Sequence, residues 1–534
     1  MSRRPRPLAT AVLVLVFSAT IVPAAAPTTQ PVDLLKGATW KWTAEQPSTQ
    51  PATSPAASRP ATPSHWTGEA EFQVAYPPRY ASLDLLHRMN PQYKMRFTLN
   101  GHEIRPPLEG MLYKAIPGID ASWLVEGRNV LTTRITSTPP ARAGRSPQSS
   151  TKDAEFQPPK MKLLALQPTD LEIITGPVLG ISEDRKLAVT CRTNMLARVT
   201  LSAEGTVPGR VRTAKKIKST SPAGLFHHFT LEGISPRSLR YELEARTPDG
   251  GGSAKLGPWT TTAQSQAGRL RFVALGDNRS NPDKWAAVAA AALAAKPDLV
   301  VHTGDLVSQG RLDWYWADQF FNPAKELLAT APFYPVIGNH EGEAPLYYEL
   351  FPFLSPQARP AYWRQAVDGV LLIGIDGEAD WSAGGDNAKW LEESLAGSKA
   401  RFIFLITHYP AWSSSQHGRL EANSDKPAER PVRQAREVIM PLLAKYHATA
   451  MIAGHDHNYQ RSEPPEGVTV IVTGGAGAPL YKESAEASRQ NPYSKTFADV
   501  LNYCVFTVDG GVCTMQALTP DGKVLDTRTW TQRP

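Results

Sequence analysis

Three cysteines in 534 residues are too few for a disulfide framework. Cys504 and Cys513 fall on two strands of a hairpin turning at Asp509-Gly510, where they share a face but stand diagonally, so buried free thiols are at least as good a reading as a bridge. Cys191 has no obvious partner. Beyond Val22 no apolar run is long enough for a membrane helix. Basic charge is not gathered either. The formal charge of +7 drops by three, to +4, once the arginines of the leader described next are removed, and the longest basic cluster, "RTAKKIKS", reads as a solvated strand and loop. These absences argue against nucleic acid as a partner and against a membrane span.

The first thing present is a leader. Arg3, Arg4 and Arg6 precede an apolar stretch from Leu8 to Val22, with small residues at Val22 and Ala24. This implies a secretory signal peptide over 1–24, since cutting after Ala26 would leave Pro27 at the new terminus. No cysteine follows it, which argues against a lipid anchor. Secretion, or export to a periplasm, is the expectation.

The rest is globular, with 41% hydrophobic and 20% charged residues and aromatics spread throughout. Two low-complexity stretches divide it. One, within 44–64, reads as a disordered insertion in a β unit spanning 27–136; the other, 137–160, as a Pro/Ser-rich linker. "YKMRFTLNGHEI" and "SWLVEGRNVLTTRIT" alternate apolar and polar residues around Asn-Gly and Glu-Gly turns, and resemble the jelly-roll, galactose-binding-like modules of secreted hydrolases. By that analogy a polysaccharide is a further partner. Over 161–265 the runs "KLAVTCRTN", "ARVTLSAE", "LFHHFTLEGI" and "LRYELEART" have sandwich-like spacing. His227 and His228 are neighbours on one such strand and point to opposite faces, which favours structural roles over joint metal binding.

From 268 to 534 the pattern changes to buried β-branched runs alternating with helical stretches, a βαβ architecture. Successive strands end in a turn beside a metal-capable side chain: Asp277, Asp305, Asn339 with His340, His408, and His455 with His457. Ligand sites of α/β sheets form at the carboxyl ends of strands, so residues scattered over this half converge. Singly each has an ordinary explanation as a cap, turn or satisfied histidine; together they combine one carboxylate able to bridge two cations with imidazole and amide ligands.

The motifs "GDNR", "GDLVSQG", "GNHE", "THYPAWSSSQHG" and "GHDHNYQRSEPPEGVTVIVTGGAGAPLY" resemble those of the calcineurin-like metallophosphoesterases and, within them, the purple acid phosphatases. That resemblance implies an α/β metallophosphoesterase sandwich, two mixed β-sheets flanked by helices, preceded by two all-β sandwich domains, the second the fibronectin-type unit of that family. It implies two divalent or trivalent ions (Fe, Zn or Mn). Asp305 would bridge them; Asn339, His408 and His455 would complete one, Asp277 and His457 the other. It further implies hydrolysis of a small phosphate ester through metal-held hydroxide attacking in line, with His340 protonating the leaving group. Alternative readings are a phosphodiesterase or nucleotidase of the same superfamily, or a degenerate secreted carbohydrate binder.

Two positions depart from the pattern. Arg279 stands where the purple enzymes have glycine, and Ser308 where they have the tyrosine that ligates iron(III). The missing tyrosinate implies no purple colour. Arg279 either contacts substrate phosphate, the favoured reading and one that makes it catalytic, or repels a cation; Asn278, Asn281 or water would then complete the first shell. His417 resembles a substrate-side histidine and equally suits a surface loop. His302 reads as structural, while Tyr459 and Arg461 fit rim contacts or loop packing equally.

Overall fold

The computed structural model describes residues 31–45, 65–85, 93–137, 159–208, 210–261, 268–354 and 362–534. The expected leader, the insertion from residue 46 and the linker from 138 to 158 lie outside them.

Among the described residues the first unit contains two antiparallel sheets. One has five strands in the order Thr39–Glu45, His65–Val74, Gly127–Ser137, Tyr93–Leu99, His102–Ile104. Along His65–Val74 the residues Trp66, Ala70, Phe72 and Val74 are buried and alternate with exposed ones, the signature of a half-covered sheet. Asn100 and Gly101 both have positive φ, as the tight turn between Tyr93–Leu99 and His102–Ile104 requires. The other sheet has the order Val32–Asp33, Met161–Leu166, Tyr80–Leu85, Ala115–Ile119. Met161–Leu166 therefore belongs with the first unit, not at the head of the second where the sequence boundary placed it: an apolar alternating run specifies a strand but not its partner.

The second unit is built on one long strand, Leu187–Val207. Its first part pairs with Ile173–Ile181 and Gly224–Leu231; after a register shift between Arg192 and Ala197 it pairs with Arg210–Thr220 and Arg240–Arg246. The two strands expected around Cys191 and Val199 are thus continuous, because "NML" between them carries no turn residue. His227 is buried between Ser221 Oγ (2.8 Å) and Thr193 Oγ1 (3.1 Å), whereas His228 reaches outward to Glu349 (2.8 Å).

Among the described residues the C-terminal half has thirteen strands, numbered from its start: β1 Arg269–Leu275, β2 Leu299–His302, β3 Phe333–Pro335, β4 Trp363–Val367, β5 Val370–Gly374, β6 Phe402–Ile406, β7 Ala450–Ala453, β8 Tyr459–Ser462, β9 Thr469–Thr473, β10 Ser494–Ala498, β11 Tyr503–Asp509, β12 Val512–Leu518 and β13 Val524–Thr531. They form two mixed sheets, β3-β2-β1-β11-β12-β13 and β4-β5-β6-β7-β9-β8-β10. The sheets meet through Phe272, Phe404 and Phe506, whose ring centroids lie 4.4–5.3 Å apart. Outside the first sheet, the helix Pro282–Ala294 buries Trp285, Val288, Ala289 and Ala292, one stripe at helical spacing. Asn281 caps that helix by accepting from Lys284 N–H (3.2 Å), with Pro282 opening its first turn. Cys504 lies opposite Ala517 and Cys513 opposite Val508, so the two thiols are buried and free.

Candidate active site

The parallel strands β1, β2, β3, β6 and β7 deliver their following loops to one end of the two sheets. Asp277, Asp305 and His455 all adopt left-handed backbone (φ 58°, 58° and 68°), costly for non-glycine residues and characteristic of functional turns. Neighbouring glycines make the close approach feasible. A Cβ on Gly338 would lie 2.3 Å from Asp305 Oδ1, and one on Gly454 2.3 Å from Asp277 Oδ2.

Four acceptors converge here. His408 Nε2 lies 3.0 Å from Asn339 Oδ1, 3.1 Å from His455 Nδ1 and 3.4 Å from Asp305 Oδ1. The outer nitrogens fix which side carries the lone pair: His408 Nδ1 faces the Thr303 carbonyl (2.8 Å) and His455 Nε2 faces Glu429 Oε2 (2.9 Å), so each donates outward and turns a bare nitrogen inward. Two imidazole lone pairs, an amide oxygen and a carboxylate oxygen with no donor among them repel unless a cation lies between. Separations of about 3 Å are the edges of a coordination polyhedron with bonds of about 2.0–2.2 Å. This position fits a metal ion.

The adjoining position is different. Asp277, Asp305 and His457 each turn an atom toward a common point, and His457 Nδ1 is committed to the Pro479 carbonyl (2.7 Å), leaving Nε2 inward. Arg279 also lies there: its Nε donates to Asp305 Oδ2 (2.9 Å) and its Nη2 sits 3.4 Å from His457 Nε2. Burial, then the Asp305 charge, raises the Asp277 carboxyl, whereas at Asp305 burial is outweighed by His408, His340 and Arg279, which hold it below the usual carboxylate range. Burial pushes His455 and His457 down to about 3, the neutral state a ligand needs.

The remaining expected residues divide. His340 donates from Nδ1 to the Ser308 carbonyl (2.7 Å) and holds Nε2 3.8 Å from Asp305 Oδ2, at the mouth of the site. His417 lies with its ring 3.7 Å from that of His455 and bonds Glu429 Oε1 (2.6 Å), so it flanks the site rather than a distant surface. Asn278 does not reach that adjoining position. It donates to the Leu306 and Gln319 carbonyls and accepts from the buried His302, which is structural. Asn281 is occupied as a cap. Tyr459 and Arg461 both bind Asp526 and serve packing, not the rim.

Three residues were missed. Glu429 orients both His455 and His417; Glu341, fully buried, accepts from the backbone N–H groups of Asp305 (2.9 Å), Gly338 (2.9 Å) and Val307 (3.1 Å); Asp456 accepts from Ser413 Oγ and His417 N–H. Glu341 and Asp456 sit inside the recognised motifs, which was the available signal; Glu429 sits in none. A cavity of about 700 Å³ opens beside Asn339, lined by Glu343, Tyr348, Asp376 and Glu378.

Residues 270–459 match the calcineurin-like phosphoesterase family. Within it the chain is purple acid phosphatase-like, a metal-dependent phosphoesterase. It is 25% identical over 261 residues to mouse tartrate-resistant acid phosphatase type 5, covering 41% of this chain and 75% of that one. It is 27% identical over 203 residues to the probable inactive purple acid phosphatase 9 of Arabidopsis thaliana, covering 31% of this chain and 30% of that one. In fold it is similar to the purple acid phosphatase of yellow lupin seeds, with a TM-score of 0.58, 15% identity, and 88% and 93% of the two chains covered.

Proposed function

We propose that this metallophosphoesterase is an exported phosphatase acting on small phosphate monoesters. The observation that carries the reading is the set of four inward acceptors on Asp305, Asn339, His408 and His455, with His340 beside them. A cation bound there acts as a Lewis acid on phosphate oxygen and lowers the pKa of water. Asp305, held ionised, orients its oxygens toward both positions. Glu429 and the Thr303 carbonyl keep the two imidazoles in the tautomers that present lone pairs. As a water oxygen bonds to phosphorus and gives up a proton to solvent, the P–O ester bond breaks, electrons collect on the departing oxygen, and His340 Nε2 is placed to give it a proton, its Nδ1–H remaining anchored on Ser308. The cavity beside Asn339 gives the organic group room. Export rests on the leader of the sequence.

The test is elemental analysis together with assays on a nitrophenyl phosphate and its bis-ester. Asn339→Ala is expected to lower the bound metal, and His340→Ala to keep the metal while losing turnover by about 10²-fold or more. Preference for the bis-ester would replace this reading with a phosphodiesterase.

A further inference from the structure

Arg279 occupies the position shaped by Asp277, Asp305 and His457, the first of the two in chain order, in the manner of a cation. Nε–H and one Nη–H leave the same edge of the planar guanidinium, and that edge faces Asp305 Oδ2 (2.9 Å) and the lone-pair side of His457 (3.4 Å), two of the three acceptors available there. The third, Asp277, is buried against the His455 N–H (3.1–3.2 Å) with Oδ1 3.6 Å from His457 Nε2. The arginine side chain is only 14% exposed, so its placement is not that of a surface residue passing by. Ser308 offers no replacement ligand, its hydroxyl being turned to Ser280 Oγ (2.9 Å).

We infer that Arg279 is a tethered substitute for the first cation, so that the chain holds one metal ion, at Asp305, Asn339, His408 and His455, with a guanidinium beside it. This rests on the proposed reading of those four residues as a cation site. The chemistry favours the guanidinium. It is attached to the chain, and an arginine, unlike a lysine, does not give up its charge to admit a metal. An incoming ion would have to break the Asp305 pair and then sit beside a fixed positive charge. Nη1 keeps only a 3.5 Å contact, to Ser280 Oγ, leaving that edge to meet a phosphate oxygen.

The experiment counts ions. The full-length protein is equilibrated with Mn(II), dialysed and read by elemental analysis and electron paramagnetic resonance. One manganese per chain with a magnetically isolated spectrum is expected, unchanged in His457→Ala and abolished in His408→Ala. Arg279→Gly combined with Ser308→Tyr, folded by circular dichroism, is expected to take two ions with an exchange-coupled spectrum. Two ions in the unaltered protein overturn the inference and leave the phosphatase reading standing, as does a count stuck at one in the double variant for the role of Arg279. No ion at all overturns the phosphatase reading itself.

Discussion

His227 and His228 are chemically identical neighbours, and the strand's two-residue period gives them opposite fates: one in the core between two hydroxyls, the other outside on Glu349. Burial pushes His227 down to about 4 from 6.5, with His228 a smaller contribution. Above pH 6.5 the ring is neutral both folded and unfolded and contributes nothing to pH dependence. Between 6.5 and 4 the unfolded chain binds the proton and the folded one does not, so stability falls as pH falls, by on the order of 2 kcal/mol across that window. His227→Gln is expected to flatten this part of the curve. Urea unfolding at pH 7 and 4.5 checks it, and equal slopes for the two proteins would refute the assignment. Such facing was readable in advance because it needs only alternation. Glu429 was not, since it precedes a helix, follows no strand, and meets His455 and His417 only through the folded chain.

At the scale of elements, the site is a set of loops stapled to one another as much as a set of strand ends. Strand ends were legible, because a buried apolar run that stops at Gly-Asp or Gly-His marks where a sheet stops and chemistry begins. Which strand joins which sheet was not. Met161–Leu166 pairs with the first unit, and β11 to β13 extend the first catalytic sheet from β1, pairings decided by tertiary packing. The staple across the β2 and β3 loops is Glu341, whose carboxylate accepts from three backbone donors. Glu341→Ala strands those N–H groups in a dry place and is expected to cost at least about 3 kcal/mol, with metal affinity falling alongside. Glu341→Gln, which keeps one acceptor oxygen, should lose less. Denaturant titrations with and without Mn(II) give both quantities; an alanine variant within 1 kcal/mol of the parent (about the size of one ordinary hydrogen bond) would show the staple to be dispensable.

Across the whole molecule, the three units are joined by buried polar clasps in addition to apolar packing. The Ile181 carbonyl of the second unit accepts from Tyr334 (3.2 Å) and Gln365 (2.8 Å) of the catalytic half, and Tyr241 donates to the Ala329 carbonyl (2.8 Å). Arg192 is the point where all three units meet. Its guanidinium pairs with Asp313 of the catalytic half and lies 5.3 Å from the Phe226 ring of its own unit and 5.7 Å from Tyr113 of the first, while the side chain is 2% exposed. The backbone of Leu112 bonds Arg311 and Asp313 alongside it. A charge buried this deeply is costly once its partner is gone. Asp313→Ala is therefore expected to destabilise the chain by about 3–5 kcal/mol, most of it the penalty of leaving Arg192 uncompensated. Replacing both, Arg192→Leu with Asp313→Leu, should recover much of that loss, because two apolar side chains in the same space carry no desolvation cost. Tryptophan-detected urea unfolding of the three proteins measures the cycle. If the single variant loses no more than an exposed ion pair does, about 1 kcal/mol, the junction is held by its apolar contacts alone.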